Sequence, residues 1–339
     1  MGRLSKTMVI IALALCFSAA AISPAEAASD KPIKWRMCNL YPRGISFGPL
    51  YQEFCDMVGR MSGGRLIIDC MYDGEGVGAM EVWSSVKSGL IEMGAPYMAL
   101  HAGEFPAGVV GLGLPGGPTD LGQLLALWHD AGWLEAINEG ARKQGIMILA
   151  EYYQPGTYVL SKEPIKSIED FKKLKIRCPG AYGKMMRKLG ASPAVIAFGE
   201  TYTSLATGVV DAVDGCNLID HRDGKFYEVA KYMYPLPLSG SQVGPLIVNL
   251  NAFNSLPADL QEILKVAGYY HGMLQAYKSV VWEKEALKEM KAKGLLMSPE
   301  PSQQDKAKWK EAGLSVWPEY ENLDETSKKM IDIQRKFLE

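Results

Sequence analysis

The sequence predicts an α/β protein of two lobes, joined by two chain crossings that form a hinge and followed by long C-terminal helices. Three observations carry this expectation. Short β-rich runs alternate with helical periodicity from Ile33 to Ala95 and again from Lys175 to Asp214, the grammar of α/β lobes built on largely parallel sheets. Two extended runs, Ile146 to Tyr153 and Val243 to Asn249, stand where the chain would leave the first lobe and return to it. From Asp259 onward the pattern is helical. The lobes so defined are residues 28–153 with 248–290 and residues 154–247, braced by helices in 291–339.

The first 27 residues are expected to be a signal peptide. Arg3 and Lys6 precede an apolar run from Met8 to Ala21, and Ala25-Glu26-Ala27 places small residues at the positions a signal peptidase reads, so cleavage follows Ala27. Leu15 before Cys16 does not suit a lipid-modified cysteine, and no later stretch is long and apolar enough to span a bilayer. The remaining chain, roughly 310 residues, is enough for two domains of ordinary size. Its formal net charge is close to the −2 of the whole chain, which argues against binding nucleic acid, a task that needs concentrated positive charge. Cys38, Cys55, Cys70, Cys178 and Cys216 remain after cleavage, too widely spaced for a metal motif. An oxidising compartment permits a bridge between two of them, and an odd number leaves at least one over.

Ile33 to Asn39 reads as the first strand, running into a turn at Tyr41-Pro42-Arg43-Gly44. Phe47, Leu50, Tyr51, Phe54, Met57, Val58 and Met61 recur at helical spacing, and Gly63-Gly64 ends that helix. A second strand starts at Leu66-Ile67-Ile68, a short helix covers Met80 to Val86, and Ile91 to Ala95 is the third strand. Thr119 to Lys143 reads as one helix capped by Thr119 or Asp120. In the second lobe, Ser167 to Asp170 forms a turn, Lys175 to Cys178 a strand, Tyr182 to Leu189 a helix, Pro193 to Phe198 a strand and Thr201 to Thr207 a helix, with Asp211 to Asp214 extended. Asn254 or Ser255 is expected to cap a long helix over Asp259 to Lys293 with Pro257 in its first turn. Two further helices fall at Gln303 to Ala312 and Asp324 to Phe337, with a loop through Pro318.

Several patterns look chemical without the context that chemistry needs. Gly111-Leu112-Gly113-Leu114-Pro115-Gly116 has the glycine spacing of a dinucleotide loop, but Pro115 and Pro118 interrupt the required strand-turn-helix. The histidines His101, His129, His221 and His271 are dispersed, and Ser239-Gly240-Ser241 lacks the spacing of a nucleophile elbow. No enzyme and no obligatory cofactor is therefore expected.

The run Lys175-Ile176-Arg177-Cys178-Pro179-Gly180 resembles the extracytoplasmic substrate-binding proteins of tripartite ATP-independent periplasmic (TRAP) transporters, the DctP-like family. The likeness continues through Lys188 to Pro193, Gly199 to Gly215 and Asn249 to Gln261, covering almost the whole mature chain in order and spacing. It implies a two-lobed, periplasmic-binding-protein-like fold of type II-like topology, a periplasmic location, a small organic-acid ligand, and small and large integral membrane subunits as partners. It implies further that Arg177 lies in the cleft and pairs with the ligand carboxylate, for which the planar fork of a guanidinium is well matched.

Within the family, Gly199-Glu200 and Gly244-Pro245 resemble the α-keto-acid-binding subgroup, and the match implies that Gln154, Asp214 and Gln242 face the cleft. Positions like Asp214 and Gln242 are commonly acidic there and help hold a metal. Here Gln242 is neutral, and Gly215 replaces a bulky aromatic, so Ca²⁺ is at most optional, with Asp214 and Gln242 as its oxygen donors. Tyr41, Arg43 and Tyr97 follow first-lobe strands, at the ends from which an α/β cleft is lined, and Asn217 is a further polar candidate. A 2-oxo or 2-hydroxy monocarboxylate leads the ligand classes, ahead of an aromatic acid, an amino acid, a dicarboxylate or a sulfonate. A ligand sensor using the same shell remains the alternative to a transport component.

Overall fold

In the computed structural model, which describes residues 31–118, 120–214, 216–238 and 241–339 apart from the side chains of Tyr152, Gln154, Ser241, Gln242 and Val243, the chain starts with β1 (Ile33–Asn39). The expected signal peptide, the candidate cap Thr119, Gly215 and the Ser239-Gly240 pair lie outside the described residues. There follow α1 (Gly48–Met61), β2 (Leu66–Met71), α2 (Val82–Ser88), β3 (Met93–Ala95), α3 (Pro106–Gly111), α4 (Leu121–His129), α5 (Trp133–Lys143) and β4 (Ile146–Pro155). Leu50, Tyr51, Phe54, Cys55 and Val58 put one stripe of α1 into the core. The chain reverses after it because Gly63 and Gly64 both adopt positive φ.

The single helix expected from Thr119 to Lys143 is two. Asp120 caps α4 by accepting from the Gln123 amide, and Gly132, at φ 92°, turns the chain before α5. A left-handed glycine cannot continue a helix, so the break follows from Gly132 rather than from any loss of apolar periodicity.

The second lobe comprises β5 (Leu160–Ser161), β6 (Lys175–Arg177), α6 (Gly180–Lys188), β7 (Ser192–Ala194), α7 (Phe198–Ala206), β8 (Ala212–Val213), α8 (Leu218–Asp223) and β9 (Tyr232–Met233). β7 is shorter than expected because Phe198 opens α7. The chain returns through β10 (Ser241–Asn249), then forms α9 (Leu250–Asn254), α10 (Ala258–Ala292), β11 (Leu296–Met297), α11 (Gln303–Leu314), α12 (Trp317–Glu321) and α13 (Glu325–Leu338).

Two sheets result, one per lobe. The first has the order β2-β1-β3-β10-β4, with β1 parallel to β2 and β3, and β10 antiparallel to β3 and β4. The second has the order β11-β9-β5-β8-β6-β7, with β8, β6 and β7 parallel. β4 and β10 pair from Ile146 with Asn249 to Pro155 with Ser241, with an irregularity at Leu246 and Ile247. The outgoing and returning crossings are thus one antiparallel ribbon, which ties them together where the lobes join.

The tail reaches both lobes. α10, 35 residues and about 52 Å long, packs on β4, α1 and α8. Gly272 lets it approach β4 closely: a Cβ there would sit 2.3 Å from the Glu151 carbonyl oxygen. α11 lies against α6, while α13 lies against α5 and α3. Two local expectations change. Asn254 ends α9, itself capped by Asn249, and Pro257 occupies the cap position of α10. Pro318 sits in the first turn of α12, where its missing amide costs nothing, instead of in a loop.

Candidate functional site

Arg177 ends β6, the middle strand of the parallel trio β8-β6-β7, at the carboxyl end where α/β sheets present their ligands. Its side chain is buried, with 2% of the residue exposed. Nε donates to the Ile196 carbonyl at 3.0 Å and Nη1 to the Asp214 carbonyl at 2.9 Å, with the Cys216 sulfur 3.6 Å from Nη1. These contacts lock the guanidinium plane. Among the described residues, Nη2 makes no hydrogen bond and the guanidinium no ion pair with a carboxylate.

The surrounding groups are buried. Asp214 is fully buried, its amide donates to the Arg177 carbonyl at 2.7 Å, and its Oδ2 accepts from the Cys178 thiol at 3.4 Å. Burial pushes the Cys178 thiol well above its usual pKa, reinforced by the Asp214 charge. Burial raises Cys216 too, against the pull of Arg177. From the first lobe, Tyr97 follows β3 in extended conformation. Its phenol is driven well up by burial and drawn back by Arg177, and Tyr182, Cys216 and Asp214 are close enough to act on it. The first-lobe tyrosine and the second-lobe arginine therefore share one buried space.

A second polar group adjoins it. Asn217 caps α8: its Oδ1 accepts from the Asp220 amide at 2.9 Å and its Nδ2 donates to Asp220 Oδ2 at 3.0 Å. Asp220 is 5% exposed, and its carboxyl is pushed up to about 8 by burial and by the Asp223 charge; Arg177, Asn217 and the Tyr41 hydroxyl pull the other way. Tyr41, held by its amide to Asn39 Oδ1 at 2.9 Å, also packs edge-on against Phe198 at 6.2 Å. Beside it, His221 bonds the Tyr158 carbonyl at 2.8 Å, and burial lowers its pKa to about 4.

The lobes are joined around this group by specific contacts. The Ser46 amide donates to Asp223 Oδ2 at 2.7 Å, and Arg222 Nη2 donates to Ser46 Oγ at 2.8 Å. The Tyr182 hydroxyl donates to the Gly113 carbonyl at 2.9 Å, so the glycine-rich segment 111–116 receives the second lobe instead of cradling a phosphate. At Gly180, φ 64°, an added Cβ would come 3.0 Å from that of Ala99, which only glycine avoids without strain.

Arg177, Asp214 and Tyr97 are thus brought together, and Asn217 and Tyr41 meet at Asp220. Gln154 and Gln242 are directly opposite each other on β4 and β10, although their side chains are outside the description. Arg43 is not brought to this group. Its side chain is 66% exposed, paired with Glu75 and laid over the Tyr72 ring at 4.3 Å, both partners from the chain just after β2. Asp220, Tyr182 and Cys216 were not anticipated from the sequence. The Asn217-x-x-Asp220 capping pattern would have located Asp220. Among the described residues, no three His, Cys, Asp or Glu side chains are grouped to hold a metal ion.

Two α/β lobes joined by a paired ribbon are the architecture of a periplasmic-type solute-binding protein. The chain belongs to the DctP family, bacterial extracellular solute-binding protein family 7, whose model matches residues 42–323. It is a periplasmic solute-binding protein of the TRAP-transporter type. It is 28% identical over 79% of its length, and 74% of the relative's, to a monocarboxylate 2-oxoacid-binding periplasmic protein of Nostoc. A TRAP solute-binding protein of Colwellia psychrerythraea solved with calcium and pyruvate superposes with a TM-score of 0.80 and 26% identity, over 91% of this chain and 94% of that one. One from Bordetella bronchiseptica, with calcium and picolinate in one of its sites, has a TM-score of 0.83 and 24% identity over 90% and 91% of the two chains, and shows the fold.

Proposed function

We propose that the protein captures a 2-oxo or 2-hydroxy monocarboxylate through a salt bridge to Arg177 and delivers it to the small and large membrane subunits of a TRAP transporter. The observation that carries the proposal is a buried, immobilised guanidinium with no carboxylate partner among the described residues. Burying an unpaired cation is costly, and a ligand carboxylate supplies the missing charge while leaving the docked Nε and Nη1 undisturbed. Tyr97, Asp214, Asn217, Gln154, Gln242 and Tyr41 complete the site in this reading, with Arg43 at its rim. The lobes exchange at 153/154 and 247/248, and residues 291–339 brace them.

The 2-oxoacid class draws support from the Nostoc relative and from the pyruvate found in the Colwellia structure and in a 26% identical one from Pseudoalteromonas atlantica, which holds sodium. A metal is not obligatory here: the Asp214 carboxyl already accepts from Cys178, Gln242 is neutral, and a calcium ion wants six to eight oxygens.

The test is calorimetric titration of protein dialysed against a chelator, with pyruvate, lactate, malonate and pyroglutamate as probes. Saturable binding of pyruvate or lactate is expected. Binding of malonate or pyroglutamate alone refutes the ligand class, and pyruvate binding that returns only with added calcium refutes metal independence.

A further inference from the structure

One face of the long helix α10 is apolar and open to solvent. Isolated exposed apolar residues are ordinary on a protein surface, but between Lys265 and Lys284 every exposed position of α10 is apolar or aromatic: Val266, Tyr269, Tyr270, Tyr277, Val280 and Val281. Their spacing gathers them on one stripe about four turns long, with the half-buried Met273 at its middle. The opposite face of the helix is buried against β4, α1 and α8, so the stripe looks away from both lobes. Tyr269 is held in place: its ring meets that of His129 edge-on at 5.8 Å, and His129 Nε2 lies 2.8 Å from the Tyr153 hydroxyl. An apolar patch of this extent with charged ends is the mark of an interaction surface.

The stripe is also symmetric. Val266 and Val280 lie seven residues either side of Met273, Tyr269 and Tyr277 four, and beyond them Glu262 and Lys284 eleven. A second α10 laid antiparallel across Met273 therefore sets valine against valine and tyrosine against tyrosine, and brings Glu262 of each copy beside Lys284 of the other. A parallel arrangement would instead oppose like charges at both ends. Both charges are exposed, and Lys284 makes no ion pair among the described residues. Glu262 has Lys265 on its Oε1 at 2.6 Å, which leaves Oε2 for a second cation. From Glu262 to Lys284 the contact runs about 33 Å, a length that two helices share only at a shallow crossing angle of about 20°.

We propose that this face is where two copies of the protein pair, α10 against α10, antiparallel across a two-fold axis at Met273. The apolar stripe is the centre of the contact and the Glu262–Lys284 pairs are its ends. The pairing does not depend on which acid the cleft takes.

Sedimentation velocity of the exported protein tests the pairing over a concentration series reaching about 100 μM, where even a weak homodimer is populated. The wild type should reach twice the mass of one chain. Glu262→Lys and Lys284→Glu each oppose like charges at both ends of the contact and should weaken the dimer by about 10-fold, whereas the double variant exchanges the two signs and should restore it to within about 3-fold of wild type. Tyr277→Lys puts a charge inside the stripe and should give a monomer that circular dichroism shows to be folded. A wild type that stays monomeric throughout the series overturns the proposal; if Tyr277→Lys then loses uptake in cells carrying the membrane subunits while still binding pyruvate, the stripe belongs to those subunits. A dimer indifferent to both charge reversals, or one that the double variant fails to restore, overturns the antiparallel register.

Discussion

Replacing Asp220 by asparagine isolates one titration from the rest of the molecule. Its carboxyl rises from an ordinary 3.8 to about 8 in the folded protein, mainly through burial. Below about pH 4 both folded and unfolded chains carry the proton; between there and pH 8 only the folded chain does. Asp220 therefore contributes stability that is complete in acid and is lost as pH rises through the folded pKa. Each pH unit inside that window is worth about 1.4 kcal/mol, so the loss between pH 5 and pH 8 is on the order of 3 kcal/mol. Asparagine keeps the shape and the acceptor for Asn217 Nδ2, but does not ionise. Urea unfolding of wild type and Asp220→Asn from pH 5 to pH 8 should show the variant gaining on the wild type by that amount. A stability difference constant over the range would refute the placement of Asp220 as a buried, protonated group.

Other perturbations act on separate parts of the structure. Gly272→Ala pushes a methyl group into the Glu151 carbonyl and should cost about 1–3 kcal/mol, read as a lower urea midpoint; an unchanged midpoint contradicts the close approach of α10 to β4. Arg222→Ala removes the bond to Ser46 Oγ that joins the lobes, and stopped-flow dissociation of pyruvate should accelerate by about 5- to 10-fold with little change in association. Dissociation at the wild-type rate would show that this contact does not hold the lobes closed. Asn217→Ala loses a helix cap and the donor to Asp220, and should destabilise by about 1–3 kcal/mol in the same unfolding assay.

The α/β pattern was legible because each early strand and helix buries its own apolar residues: Met37 and Cys38 in β1, and Leu50, Tyr51, Phe54 and Val58 in α1. The place of Arg177 at the end of a short strand was legible through the motif around it. The fate of Arg43 was not, because its partner Glu75 belongs to the loop after the next strand and only the fold aligns them. Asp220 was missed for a related reason. Its Asn217 cap is local, but the burial that makes it unusual exists only in the folded lobe, where the Tyr41 hydroxyl also reaches it from the other lobe. The split between α4 and α5 rests on one glycine adopting φ 92°, a conformation that glycine permits but does not require. The pairing of Gln154 with Gln242 follows from the register of two crossings that the sequence separates widely.

The central claim is that Arg177 binds the ligand carboxylate with a docked guanidinium fork. Calorimetric titration of pyruvate into wild type and Arg177→Lys tests it, with circular dichroism confirming that the variant is folded. Lysine keeps the positive charge but cannot hold the Ile196 and Asp214 carbonyls while offering a planar pair of donors. The affinity should fall about 10- to 100-fold, the worth of a charge-assisted hydrogen bond of about 1.5–3 kcal/mol. A folded Arg177→Lys that binds pyruvate as tightly as the wild type would contradict the account.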